Sequence, residues 1–153
     1  MARPPHIMLV EARYYAHISD ELAKGALAAL EAAKATHQRV TVPGAFEIPA
    51  AIRFAASAAA RGGGPRFDGY VALGCVIRGE TTHYDYVCQE CARGLQDLAL
   101  GDELAIGFGV LTVENEAQAL ARARVEQRNK GGEAVRACLA MIELKRSFGL
   151  IAP

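Results

Sequence analysis

The sequence lacks an excess of charge of either sign. Its 153 residues include 17 lysines and arginines and 17 aspartates and glutamates, so the formal net charge at pH 7 is zero with histidine neutral. No basic run is longer than a pair. The electrostatic footprint of a nucleic-acid-binding protein is therefore missing. An anionic ligand would have to be bound by a local site rather than attracted by the field of the whole protein.

The sequence also has little that indicates export, membrane insertion or disulfide bonding. Residues 1–6 show neither the apolar stretch nor the cleavage site of a signal peptide, and no apolar run approaches the length of a bilayer span. The four cysteines, Cys75, Cys88, Cys91 and Cys138, form no recognisable disulfide framework. We therefore expect a cytoplasmic protein with reduced thiols. The length suits one domain, residues 1–153, with its own buried core.

Short apolar runs alternate with segments of helical periodicity. The apolar runs predict strands at residues 6–10, 39–42, 70–77 and 104–112. Helix signals predict helices over residues 19–34, 50–60, 84–98, 116–124 and 132–146, with Ser19 and Asn115 at N-termini and Pro49 opening the second helix. This alternation predicts right-handed βαβ crossovers. The expected fold is a three-layer α/β/α domain, a four-stranded parallel sheet with helices on both faces.

In parallel α/β sheets, ligands bind beyond the carboxyl ends of the strands. That rule selects four short segments of this sequence, at residues 14–15, 44–47, 78–83 and 108–110. The richest of them is RGETTH, residues 78–83, where a strand passes into a helix through a glycine and two hydroxyl residues. Free backbone N–H groups and the helix dipole suit such a segment to binding phosphate. The alternative is that Thr81 or Thr82 only caps the helix.

Several side chains in these segments are candidates for chemistry. His83 lies beside the predicted anion site, and imidazole both accepts and donates protons near neutral pH. Glu47 is a candidate acceptor for substrate hydroxyls, and Tyr14 and Phe108 for an aromatic slot around a planar ring. Each has a plainer alternative: a structural histidine, a solvated carboxylate, or aromatic side chains that belong to the core.

A basic cluster follows the fourth strand. Arg122 precedes Arg124 and Arg128 in sequence, and Lys130 comes directly before the last predicted helix. The cluster is either a solvated basic face or a source of phosphate ligands. The guanidinium of Arg122 would supply the forked donor that phosphate recognition favours.

Two motifs resemble functional ones but favour a structural interpretation. Cys88 and Cys91 have the spacing of a redox CxxC pair, yet they fall more than a turn into a predicted helix, away from the N-terminal position that lowers a thiol pKa. With no second cysteine pair, zinc binding is also poorly supported. The glycines at residues 62–64 precede a strand, whereas a phosphate loop follows one. We interpret them as a turn at the opposite edge of the sheet.

Five motifs in this order resemble the lumazine synthase family of riboflavin biosynthesis. They are ARY at residues 12–14, VPGAFEIP at 42–49, ALGCVIRGETTHYD at 72–85, GFGVLT at 107–112 and NKG at 129–131. The similarity runs from about Ile7 to Leu144. It implies a flavodoxin-like fold and the condensation of 5-amino-6-(D-ribitylamino)uracil with 3,4-dihydroxy-2-butanone 4-phosphate, which releases phosphate and water without a cofactor.

The resemblance also implies a role for each matching residue. Tyr14 would stack on the pyrimidine, where the family usually has Phe or Trp, and Val76 and Ile77 would line the ring pocket. His83 would transfer protons. Ala45, Phe46 and Glu47 would contact the ribityl chain, and Glu80 and Thr81 would contact the phosphate. The adjacent subunit would contribute Phe108, Arg122 and Lys130 to the same site, with Arg122 on the phosphate.

The implied assembly is a homo-oligomer, a pentamer or an assembly of pentamers, with riboflavin synthase as a further partner. The segment VEQR at residues 125–128 lacks the glycine-containing turn associated with sixty-subunit shells, which favours a free pentamer. Tyr15 occupies a position where the family commonly has Asn, and Glu80 places a carboxylate beside the phosphate position, which Arg122 or Arg78 would have to neutralise. The alternatives are a non-catalytic protein that binds or stores a flavin or ribityl compound on the same fold, and a shell-forming structural protein.

Overall fold

The central sheet contains four parallel strands in the order β2-β1-β3-β4. The computed structural model describes residues 2–153, and this part of the chain contains four strands and five α-helices. They are β1 (His6–Ala12), α1 (Ala16–Ala32), β2 (Thr36–Val42), α2 (Ile48–Ala60), β3 (Gly69–Ile77), α3 (His83–Gly101), β4 (Ile106–Val113), α4 (Glu116–Ala123) and α5 (Lys130–Ser147), with a single 3-10 turn at Ala45–Glu47.

The two faces of the sheet are both covered by helices. Side chains alternate along each strand, so Leu9 of β1 packs in one core cluster with residues of α1 and α5, whereas its neighbour Val10 packs in another with residues of α2 and α3. Both side chains are fully buried, and each such burial contributes about 1.5–3 kcal/mol. The predicted three-layer α/β/α, flavodoxin-like architecture is confirmed.

The start of α1 differs from the prediction. Ser19 was expected at the N-terminus, but α1 begins at Ala16 and Ser19 is a buried residue inside it, its backbone N–H donating to Tyr15 O at 2.9 Å. Ile18 and Leu22 flank it and are fully buried in the core. Their packing outweighs the preference of serine for a capping position, because a cap contributes only about 1 kcal/mol.

Strand β2 begins three residues earlier than predicted. Thr36 pairs with His6, so the register with β1 extends the strand back from Arg39. Residues 36–39 are all exposed, and an exposed edge strand has no apolar pattern to mark where it starts.

In residues 2–153 we find no helix that combines the length and the apolar character needed to span a bilayer.

Candidate active site

The carboxyl-terminal edge of the sheet holds two adjoining clefts. The first, of about 250 Å³, is lined by residues that include Tyr14, Ala45, Val76, Ile77 and His83, and we call it the Tyr14 cleft. The second, of about 380 Å³, is lined by Phe46, Glu47 and Tyr86 and is called the Glu47 cleft. Ala45 and His83 line both. Segments that follow β1, β2 and β3 therefore meet at one surface, as parallel strands require.

His83 is positioned by the start of α3. It is the first residue of that helix and is exposed to solvent. Tyr86 and Val87 follow it by three and four positions, so they lie on the same face of the helix, and both line the Glu47 cleft with it. The sequence analysis did not select these two residues. Their helical spacing from His83 was the signal that would have found them.

The segment between β3 and α3 remains accessible. Glu80, Thr81 and Thr82 are exposed, and neither Glu80 nor Thr81 lines the Tyr14 or the Glu47 cleft. Thr82 occupies the N-cap position without a capping side-chain hydrogen bond, whereas Thr81 Oγ1 accepts one from the His83 N–H at 3.3 Å. Neither threonine is therefore a standard N-cap, since Thr81 lies one residue before the cap position and Thr82 makes no capping bond. The first turn of α3 faces solvent, where a ligand can reach it.

The remaining three candidates lie elsewhere on the chain. Phe108, Arg122 and Lys130 line a separate cleft of about 480 Å³ beside the edge strand β4, here called the Arg122 cleft. Arg122 Nη1 donates to Gln118 O at 3.0 Å, and Lys130 Nζ donates to Glu133 Oε2 at 2.9 Å. None of the residues of the Tyr14 or the Glu47 cleft lines it. Within one chain, the structure does not bring these three residues to His83.

A close contact between α1 and α5 sets the position of Lys130. A Cβ atom on Gly131 would lie 2.1 Å from Leu22 O, so only glycine allows the two helices to approach this closely. Asn129 is left-handed with φ of 45° and caps α5 by accepting from the Gly132 N–H at 3.2 Å. The NKG motif therefore fixes the first residue of α5 beside the Arg122 cleft.

A charged cluster beneath the Tyr14 segment was not predicted. Glu11, near the end of β1, is buried with its side chain 3% exposed, and its carboxylate accepts from Arg39 at 2.7 and 2.9 Å and from Arg13 at 2.9 Å. Arg13 also pairs with Asp20 of α1. Burial alone would raise the pKa of Glu11, but the hydrogen bonds and charges of Arg39 and Arg13 outweigh it and lower that pKa. The cluster ties the segment that carries Tyr14 to β2 and α1.

The thiols are not activated. Cys88 and Cys91 lie within α3, past its first turn, as predicted. Burial raises the pKa of Cys91 to about 12 and that of Cys75 to about 11, and it also raises the pKa of Cys88. Since the thiolate is the reactive form, these side chains are poor nucleophiles at neutral pH.

Comparison with known proteins identifies the family. The family model described as 6,7-dimethyl-8-ribityllumazine synthase matches residues 4–146. A protein of that name from Bartonella tribocorum is 54% identical over 149 residues, which cover 97% of this chain and 95% of the relative. In Rhizobium meliloti, 6,7-dimethyl-8-ribityllumazine synthase 1 is 56% identical over 147 residues, or 96% of this chain and 95% of the relative.

A third relative comes from Sphingopyxis alaskensis. It is named 6,7-dimethyl-8-ribityllumazine synthase and is 55% identical over 145 residues, covering 95% of this chain and 98% of its own length. Both the family model and these full-length similarities span the strand-end segments that form the clefts. The chain belongs to the 6,7-dimethyl-8-ribityllumazine synthase family.

Proposed function

We propose that this protein condenses 5-amino-6-(D-ribitylamino)uracil with 3,4-dihydroxy-2-butanone 4-phosphate to form 6,7-dimethyl-8-ribityllumazine, phosphate and water. It acts as a transferase of riboflavin biosynthesis. The observation that carries the proposal is the position of His83, which lines both the Tyr14 cleft and the Glu47 cleft beside the open first turn of α3. The proposal rests on this proximity of an acid–base group, an apolar slot and an open helix N-terminus that suits an anion.

The pyrimidine substrate occupies the two clefts in this proposal. Tyr14 is 77% exposed, so its ring is free to stack on a planar ligand. Val76 and Ile77, at the end of β3, line the same cleft and form its apolar wall. The 3-10 turn presents Ala45, Phe46 and Glu47 to the ribityl chain, with the Glu47 carboxylate accepting from its hydroxyl groups.

The phosphorylated substrate binds at the start of α3. Glu80 and Thr81 flank the open helix N-terminus, which favours an anion. The counter-charge comes from Arg122 rather than Arg78, because the Arg78 guanidinium is already paired with Glu114 and Asp85. Since the Arg122 cleft is separate within one chain, a second copy supplies Phe108, Arg122 and Lys130.

The reaction needs proton transfers and positioning. An amine of the pyrimidine attacks the ketone and water leaves to give an imine, after which phosphate departs and ring closure releases a second water. His83 accepts and returns protons during these steps, a role within the range of imidazole. Holding both substrates in reactive geometry supplies much of the remaining acceleration. Every proposed step is an addition, an elimination or a proton transfer, so the reaction needs no redox cofactor.

The functional unit is a homo-oligomer of single-domain chains. Each chain contributes the His83 side of one site and the Arg122 side of another. We propose a free pentamer in the cytoplasm, with inorganic phosphate released to solvent and the lumazine product passing to riboflavin synthase. Phe46 and Phe108 support such an assembly, because both are about half exposed, at 57% and 51%, and each lines one of the clefts that an interface would join.

The test is a direct assay of the purified protein with both substrates. Formation of the lumazine, followed by its absorbance, should be accompanied by release of one phosphate per product, measured independently. Native mass spectrometry of the same sample should give a multiple of the chain mass. Tight binding of the ribityl substrate without product or phosphate would contradict the proposal and support the non-catalytic alternative.

A further inference from the structure

Arg78 joins three separate pieces of the structure at the edge of the candidate site. Its Nε donates to Glu114 Oε2 at 2.9 Å, in the segment between β4 and α4. Its Nη1 and Nη2 donate to Asp85 Oδ2 and Oδ1 at 3.4 and 3.2 Å, in the first turn of α3. The guanidinium carbon also lies 4.2 Å from the centre of the Tyr84 ring.

The segment that Arg78 spans has few other attachments. Residues 79–82 connect β3 to α3, and all four are exposed. The backbone N–H of Arg78 donates to Val113 O at 3.0 Å, which holds the start of the segment to β4. Beyond that point, Thr81 Oγ1 accepts a hydrogen bond from the His83 N–H at 3.3 Å. At the far end, Thr82 O accepts from the N–H groups of Asp85 and Tyr86 at 3.0 and 3.4 Å, which are bonds of the helix start. The Arg78 side chain therefore bridges the segment from one end to the other.

The form of the guanidinium makes this bridge more than a single surface ion pair. One exposed pair contributes little to stability, because solvent screens it and two long side chains must be ordered. The Arg78 guanidinium is planar, donates to two carboxylates and stacks on a ring. Ordering this one side chain makes three contacts, so its conformational entropy is lost only once. Tyr84 and Asp85 directly follow His83 in α3, so holding them holds the helix turn from which the histidine side chain projects.

We propose that Arg78 is a positioning residue that holds the segment 79–82 and the first turn of α3 in the geometry that binds the phosphorylated substrate and aims His83. The inference rests on the proposed function. It assigns Arg78 no contact with substrate, since its donors are occupied by Glu114 and Asp85.

Three variants test the proposal. Arg78→Ala removes the bridge, and Arg78→Lys keeps the charge but cannot donate to two carboxylates with fixed geometry. The matched control is Arg93→Ala, because Arg93 lies in α3, the helix that carries Asp85, and also pairs with two carboxylates, Glu90 and Asp97, that line none of the three clefts. If Arg78→Ala fails to fold, the double variant Asp85→Asn, Glu114→Gln removes the two carboxylate charges that pair with Arg78 instead.

Two measurements are made on each assembled protein. Amide hydrogen exchange in the peptide that covers residues 79–84 should be faster in Arg78→Ala than in wild type, and unchanged in Arg93→Ala. The kcat of Arg78→Ala should fall about ten- to a hundredfold, as expected when a reacting group is displaced by about an ångström. The KM for the phosphorylated substrate should rise while the KM for the pyrimidine stays at the wild-type value, and Arg78→Lys should lie between wild type and Arg78→Ala.

The outcomes separate this inference from the proposed function. If Arg78→Ala matches Arg93→Ala in exchange or in kinetics, Arg78 does not position the site and the inference is overturned. A rise in the KM for the pyrimidine as large as that for the phosphorylated substrate also overturns it, because it indicates general loosening. Failure of wild type to form the lumazine would refute the proposed function and this inference with it, whereas an inactive Arg78→Ala beside an active wild type concerns Arg78 alone.

Discussion

The two halves of the candidate site are built in different ways. The His83 half joins the ends of three strands, and its residues line two clefts that share side chains. The Arg122 half lies at the edge strand β4 and the start of α5, with a cleft of its own. One chain therefore forms the clefts around His83 but keeps the Arg122 cleft apart from them. This difference is the reason for proposing that two copies of the chain contribute to each site.

Replacing His83 should have the largest effect on the first half. His83→Ala is expected to lower kcat about ten- to a thousandfold, the span for loss of a positioned acid–base group. Native mass should stay at the wild-type value, since His83 is exposed and outside the core. Steady-state rates of lumazine formation measure the effect. A kcat equal to that of wild type would remove His83 from the mechanism.

Replacing Arg122, in the second half of the candidate site, should change KM and not kcat. Arg122→Ala is expected to raise the KM for the phosphorylated substrate roughly ten- to a hundredfold, because a charge-assisted hydrogen bond contributes about 1.5–3 kcal/mol. The KM for the pyrimidine should change little. Arg128→Ala is the matched control, since Arg128 is exposed and does not line the Arg122 cleft. Equal KM values in the two variants would contradict the assignment of Arg122 to phosphate.

The Glu11 cluster should make the His83 half sensitive to acid. The lowered pKa of Glu11 means that its carboxylate stabilises the fold above its unfolded pKa of about 4.5, and that this contribution is lost as the pH falls through the lower folded value. Glu11→Gln removes the buried carboxylate charge but leaves Arg13 and Arg39 partly exposed to solvent, so it should cost about 1.5–3 kcal/mol at pH 7.

The measurement is the thermal midpoint at fixed protein concentration, taken at pH 7 and at pH values below 4.5. The difference in midpoint between wild type and Glu11→Gln should shrink as the pH falls. The control is Asp97→Asn, because Asp97 pairs with Arg93 and both side chains are exposed, at 63% and 59%. If the difference in thermal midpoint between wild type and Glu11→Gln does not change with pH, the ionised carboxylate of Glu11 does not stabilise the fold as predicted.

The smallest effect is expected from the cysteine pair in α3. Cys91 is 1% exposed in the apolar core, so alanine is the better replacement there, and serine suits the half-buried Cys88. The variant Cys88→Ser, Cys91→Ala should keep the wild-type kcat, because the proposed reaction transfers no electrons. Loss of activity in a variant of normal native mass would revive a role for the thiols.

Most of the fold could be predicted from hydrophobic pattern. The apolar runs of β1 and β3 are buried on both faces, and such runs are visible in sequence. The exposed start of β2 and the buried Ser19 could not be predicted, because pairing register and core packing decide them. Local propensity contains neither kind of information.

The candidate site was predictable to a different extent in its two halves. The strand-end rule selected the segments of Tyr14, Glu47 and His83, which meet at one edge. The same rule selected Phe108, but Phe108 is the third residue of β4 and lies within the strand, not beyond its carboxyl end. Its separation from His83 could not be predicted either, because it depends on β4 being an edge strand. The sequence analysis missed Glu11, because a carboxylate at the end of an apolar run does not show which residues it pairs with. Its partners are Arg39 in β2 and Arg13 in the loop after β1.

The most direct test of the central claim is complementation between two impaired variants, assayed at a concentration of the phosphorylated substrate below its wild-type KM, where both parents should be slow. His83→Ala and Arg122→Ala chains are unfolded, mixed in equal amounts and reassembled, and native mass spectrometry verifies mixed rings. With random mixing in a head-to-tail ring, about a quarter of interfaces pair an intact His83 half with an intact Arg122 half. The account predicts that about this fraction of wild-type activity returns. If verified mixed rings are no more active than their parents, both residues act within one chain. The proposal that each site is shared between two copies would then be contradicted.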